Sequence, residues 1–160
     1  MASWNQLIAD AINDRPDSNK IRELAETAPD RIRFTRAFGH GSFKCPGGHK
    51  WSSHRVCVTF DIRRECVAKV WMQFCEKCPN NGARPDIKAA EQVQMVTRAV
   101  ENFYLKAVAA KDNTIESARA SGNSNDKPHR VNLCEACRVG KCVNNTVVDL
   151  TSRLLEQLTL

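Results

Sequence analysis

The chain has 160 residues, 42% of them hydrophobic and 26% charged, which suits one globular domain and excludes a wholly disordered chain. Only 6% are aromatic, so the core is modest and external staples matter. A net charge of +6 fits a merely basic soluble protein, or attraction to nucleic acid, an acidic partner or an anionic membrane face, and does not choose among them.

The first residues, Met1 to Gln6, lack the basic-then-apolar pattern of a secretory leader. No apolar run approaches the about 18 residues that span a bilayer. A cytoplasmic chain is expected, where paired cysteines bind metal more often than they form disulfides. Ser3 followed by Gln6 resembles a capping box, and Trp4, Leu7, Ile8, Ala11 and Ile12 repeat at helical spacing up to Pro16. A second short helix is predicted from Ser18 to Ala28, with Ile21, Leu24 and Ala25 inward and Pro29 ending it. From Asp30 the period becomes two, since Ile32 and Phe34 alternate with Arg31, Arg33 and Thr35, which predicts a strand. Gly39-His40-Gly41 reads as a turn. Val56, Val58, Phe60 and Ile62 fall on one strand face, and Val67 to Phe74 is a second β-forming run joined through Arg63-Arg64-Glu65. Pro85-Asp86 opens a long helix to Lys111 with a stripe of Val93, Val96, Val100, Phe103, Ala107 and Val108. Residues 112–128 are nearly devoid of apolar side chains and read as a mobile linker. Val147, Leu150, Leu154, Leu155 and Leu158 predict a C-terminal amphipathic helix.

These elements predict an α+β fold: a small antiparallel β-sheet with zinc knuckles, packed by a long helix, with short helices at both ends. The division is an N-terminal helical segment at 1–29, a zinc-binding domain at 30–143 containing the 112–128 linker, and the C-terminal helix at 144–160.

The chemistry lies in the cysteines. Cys75-Glu76-Lys77-Cys78 and Cys134-Glu135-Ala136-Cys137 are both CxxC knuckles, a spacing that aims two thiolates at one ion from a tight turn. His129 and Cys142 flank the second. Cys45 and His49 enclose Pro46-Gly47-Gly48, whose glycines let the backbone curl around an ion. The pooled ligands, Cys45, His49, Cys75, Cys78, His129, Cys134, Cys137 and Cys142, fill two closed tetrahedra and predict two Zn2+ ions per chain. The simplest division puts the first four on one ion and the last four on the other, though spacing equally allows interleaved pairs. A closed site leaves no position for water and reads as structural. Cys57 and Cys66 read as small strand residues, and His40 and His54 as turn residues. No paired carboxylates, nucleophile–base pair, phosphate loop or H-x-E deaminase partner occurs, so no enzyme activity and no small-molecule substrate are expected.

Taken together, these motifs resemble the three-CxxC zinc-finger family, most closely the receptor-transporting proteins, with the zygote-arrest proteins as more distant relatives. The resemblance rests on Arg36-Ala37-Phe38-Gly39, Phe43-Lys44-Cys45, Trp51-Ser52-Ser53 with Arg55-Val56, Gln73-Phe74-Cys75-Glu76-Lys77-Cys78, and His129 with the segment from Cys134 to Cys142. It covers roughly residues 34–143. Two features depart from the pattern. Cys45 and His49 stand where the family has its first CxxC, and no C-terminal membrane anchor is expected. The resemblance implies a cytoplasmic adaptor or chaperone, peripheral at membranes, that binds membrane-receptor or other protein clients and aids their trafficking. It also implies an alternative, binding of single-stranded RNA. Arg31, Arg33, Arg36, Lys44, Lys50, Arg55, Arg63 and Arg64 would then contact phosphates, and Trp51 or Phe43 would stack on bases.

Overall fold

A computed structural model describes residues 2–112 and 130–139. Helix α1 (Trp4–Asn13) begins where Ser3 Oγ accepts the Gln6 amide at 3.2 Å. The reciprocal half of the capping box is absent, because the Gln6 side chain donates forward to Asp10 at 2.7 Å instead. Helix α2 (Ser18–Thr27) buries Ile21, Leu24 and Ala25, as its spacing predicts, and ends before Pro29.

The strand expected from Asp30 starts later. Asp30–Arg33 forms one helical turn, α3, entered from extended Pro29, and Arg33 turns back to bond Asp30 and Asp61. Strand β1 (Phe34–Lys44) then pairs antiparallel with β2 (Lys50–Asp61), and β2 with β3 (Cys66–Val70), in the order β1-β2-β3. The β2–β3 link runs through Arg63, Arg64 and Glu65, as expected. The apolar run ending at Phe74 is split, however. β3 stops at Val70, and a short β4 (Gln73–Phe74) pairs with β5 (Gly82–Ala83) in a separate two-stranded sheet.

Gly39-His40-Gly41 is not a turn. It lies inside β1 at a register shift, where the backbone comes close to the long helix. A Cβ on Gly39 would sit 2.6 Å from Met95 Sδ, and one on Gly41 would sit 3.0 Å from the Asp86 carbonyl. These glycines serve close approach rather than chain reversal.

Helix α4 (Ala89–Lys111) starts a few residues beyond Pro85, because Asp86 first exchanges two backbone hydrogen bonds with Ser42 at 2.7 and 2.9 Å. It lies along β1 and against α1, burying Met95, Val96, Ala99, Val100, Phe103 and Ala107. Val93, expected in that stripe, is 48% exposed at the margin of the buried arc. The core joins this face to Ile8, Ile12, Val56, Val58, Phe60 and Ile62, all essentially buried. On the other side of the sheet a second cluster forms from Cys57, Trp71, Ala136 and Cys137. There the short helix α5 (Glu135–Arg138) docks.

Two basic residues are tied into this frame. Arg33 forks onto buried Asp61 at 2.9 and 3.1 Å, and Arg63 donates to the carbonyls of Ala25 and Ala28 at 2.8 and 2.7 Å, closing the C-terminal end of α2. No helix among the described residues is long and apolar enough to cross a membrane. The expected linker beyond Asp112 and the expected helix at 144–160 lie outside the described residues.

Candidate metal centre

The β1–β2 hairpin and the β4–β5 hairpin bring their loops together. Cys45 follows β1 and His49 precedes β2, and their loop is closed by Cys45 N–H to His49 carbonyl at 3.0 Å and Gly48 N–H to Cys45 carbonyl at 2.9 Å. Gly48 has φ +83°, the left-handed region that a side chain resists. Gly47 is equally constrained, by space: a Cβ there would lie 3.1 Å from Cys78 Sγ. Cys75 and Cys78 follow β4, and Asn81 N–H bonds the Cys78 carbonyl at 3.0 Å to close their turn.

One hydrogen-bond chain aligns the two loops. Trp51 Nε1 donates to Gln73 Oε1 at 3.2 Å, and Gln73 Nε2 donates to Ser53 Oγ at 3.0 Å. Trp51 also stacks on Phe43, with ring centroids 5.1 Å apart and planes 3° from parallel. Gln73 belongs to the run that carries the family resemblance, but nothing in its spacing marks it as the link between Trp51 and Ser53.

Four predicted ligands converge here. The ligand atoms of Cys45, His49, Cys75 and Cys78 all lie within 4.8 Å of one another, and they are the one such set among the described residues. His49 Nδ1 sits 3.4 Å from Cys45 Sγ, 3.4 Å from Cys78 Sγ and 3.7 Å from Cys75 Sγ. A tetrahedral zinc ion, with bonds of about 2.3 Å to sulfur and 2.0 Å to nitrogen, requires S···N edges of about 3.5 Å. The set fits zinc, and none of these three cysteines is in a disulfide.

Electrostatics agree with a cation at the centre. Burial pushes the Cys45 thiol up, but hydrogen bonds from His49, Cys75 and the Gly47 backbone outweigh it and bring the thiol down to about 7. Burial, with the neighbouring Cys45 and Cys75 charges, pushes the Cys78 thiol up. Cys45 and Cys78 therefore cannot both ionise cheaply unless a cation offsets the charge.

Of the other predicted ligands, Cys134 and Cys137 are described, whereas His129 and Cys142 lie outside the described residues. Cys134 forms a backbone bridge with Gln73, and Cys137 is buried in the cluster with Cys57 and Trp71. Cys66 is half-buried at the start of β3.

The candidate RNA contacts are scattered. Arg31, Lys44, Lys50 and Arg64 are exposed and Arg55 is half-buried. Arg36 lies over the Trp71 ring at 5.5 Å, while Arg33 and Arg63 make the internal bonds described above. Phe43 is buried under Trp51, so neither ring offers the other's covered face to a base.

A family model for a 3CxxC-type zinc ribbon, described as a zinc-binding domain, matches residues 38–140. No curated protein and no solved structure matches the chain. The matched stretch contains both hairpin loops and all four converging ligands, and covers well over half the sequence: the chain belongs to the 3CxxC zinc-ribbon family of zinc-binding domains.

Proposed function

We propose that the chain is a non-enzymatic adaptor whose zinc is structural, acting in the cytoplasm and peripherally at membranes on protein clients such as receptors. The observation that carries this reading is ligand saturation. Cys45, His49, Cys75 and Cys78 complete a tetrahedron, which leaves no coordination position for water or substrate. Such an ion staples loops rather than doing chemistry. The client class is drawn from the resemblance to receptor-transporting proteins, and exposed Phe38 and Val139 are apolar side chains of the kind that partner surfaces use. A second ion on His129, Cys134, Cys137 and Cys142 is part of the proposal, with Cys134 and Cys137 already adjacent on one short segment.

One observation favours the RNA alternative. Lys44 and Lys50 are directly opposite in the hairpin register and both exposed, an arrangement that costs stability unless an anion lies over it. Partner recovery from lysate tests the two readings together. An adaptor keeps its partners after RNase and loses them on joint Leu154→Ala and Leu158→Ala replacement. RNA binding would disappear with RNase, ignore the leucine changes, and weaken with salt by about 0.7 log units per tenfold salt for each neutralised phosphate. Native mass spectrometry of reduced protein checks the metal count, and one zinc or none would overturn the second site.

A further inference from the structure

Cys75 and Cys78 are held at both flanks by a single side chain from a distant segment. The Arg138 guanidinium lies 3.4 Å from the centroid of the Phe74 ring, the residue just before Cys75. Its Nη2 donates to the carbonyl of Pro79, the residue just after Cys78, at 3.0 Å. Nε and Nη2 also donate to the Asn132 carbonyl at 3.1 and 2.9 Å, fastening the head group to its own segment. That segment is docked by further bonds to the same stretch. Glu135 accepts the Met72 amide at 2.7 Å and Lys69 Nζ at 2.9 Å, and Cys134 bridges to Gln73.

We propose that Arg138 is a positioning residue of the Cys45–His49–Cys75–Cys78 centre, pinching the Cys75–Cys78 knuckle closed and thereby tightening its grip on zinc. A CxxC turn directs two thiolates at one point, and their repulsion opens the turn unless its ends are restrained. Arginine suits this task because its planar fork stacks on one flank while donating to the other, which an ammonium cannot do. Charge works in the same direction. Three thiolates and a neutral imidazole around a divalent ion leave one net negative charge, beside which a guanidinium is favourable. Residues that support metal ligands are typically worth about 10- to 100-fold in affinity, and an exposed side chain such as Arg138 belongs at the lower end. By linkage, zinc bound at this centre strengthens the docking of residues 130–139 by the same factor.

Arg130 supplies the control. It pairs with Glu76 inside the same knuckle at 2.6 Å, but both side chains are largely exposed, at 62% and 71%. It offers charge without a clamp.

The test is zinc affinity of the full chain, measured by competition with a chromophoric chelator. Cobalt(II) is loaded into a Cys142→Ala background, which disables the proposed second site, so that the thiolate-to-cobalt band reports the Cys45–His49–Cys75–Cys78 centre. Arg138→Ala and Arg138→Lys are expected to bind about tenfold more weakly with that band shifted, and Arg130→Ala to stay within about twofold of the parent. The clamp is overturned if Arg138→Ala matches Arg130→Ala, or if Arg138→Lys restores full affinity. It is overturned too if zinc-loaded Arg138→Ala loses its fold by circular dichroism, since the residue would then support the structure as a whole. A parent chain that binds no zinc sinks the zinc reading itself, a different failure from loss of the Arg138 effect alone.

Discussion

The two cysteine knuckles of this protein are held in different ways. Cys75 and Cys78 sit where two hairpin loops meet, and Gln73, Trp51 and the Cys45–His49 loop bring four ligand atoms within 4.8 Å of one another. Cys134 and Cys137 lie on a short segment that rests on the outer face of the sheet through Trp71, Cys57 and two ion pairs, one of them exposed on both sides. One centre is gathered by tertiary structure from separate parts of the chain. The other knuckle lies on a single segment docked on a sheet already built. Metal at the first therefore links loops that nothing else joins covalently, and its removal is felt across the sheet.

Removing a ligand from the first centre has the largest expected effect. Zinc at a closed site contributes folding free energy on the order of 10 kcal/mol, comparable with a domain's whole net stability. Cys78→Ala, or a strong chelator, is expected to abolish the cooperative melting of the sheet, whereas Cys57→Ser costs on the order of 1 kcal/mol. Equal shifts in melting temperature would refute the ligand assignment.

Ion pairs sharpen the contrast. Arg33→Ala removes the close partner of Asp61, whose side chain is 3% exposed and keeps only the Arg64 amide and a 4.0 Å contact to its guanidinium, and should cost about 3 kcal/mol in denaturant unfolding. Arg130→Ala, at the second segment, breaks only an exposed pair and should cost less than about 1 kcal/mol. Comparable losses would mean that the second segment is as integral to the fold as the first.

A smaller effect is expected at the Cys45–His49 loop. Gly47→Ala drives a methyl group to 3.1 Å from Cys78 Sγ and should weaken zinc binding about tenfold, or about 1.4 kcal/mol. Gly48→Ala meets no atom and carries only backbone strain of about 1–2 kcal/mol, so it should lower the melting temperature while leaving the cobalt spectrum unchanged. Identical spectra for the two variants would show that the loop can yield.

The knuckles, the helical stripes and the apolar face of β2 were legible without coordinates, because each is written at short range. CxxC spacing, a 3.6-residue period and strict alternation are local consequences of turn, helix and strand geometry. Even the convergence of Cys45 and His49 with Cys75 and Cys78 was an expectation, though ligand spacing equally allowed interleaved pairs. Only tertiary structure decided that hairpin loops from separate sheets face each other across one point. It also placed Gly39 against the long helix and Gly41 against the Asp86 backbone instead of in a turn, and kept Arg33 and Arg63 inside the fold. Gln73 and Arg138 act through partners distant in sequence, so no periodicity marks them. Such contacts depend on which surfaces are brought together once the core has formed, and the local pattern along the chain carries no record of that choice.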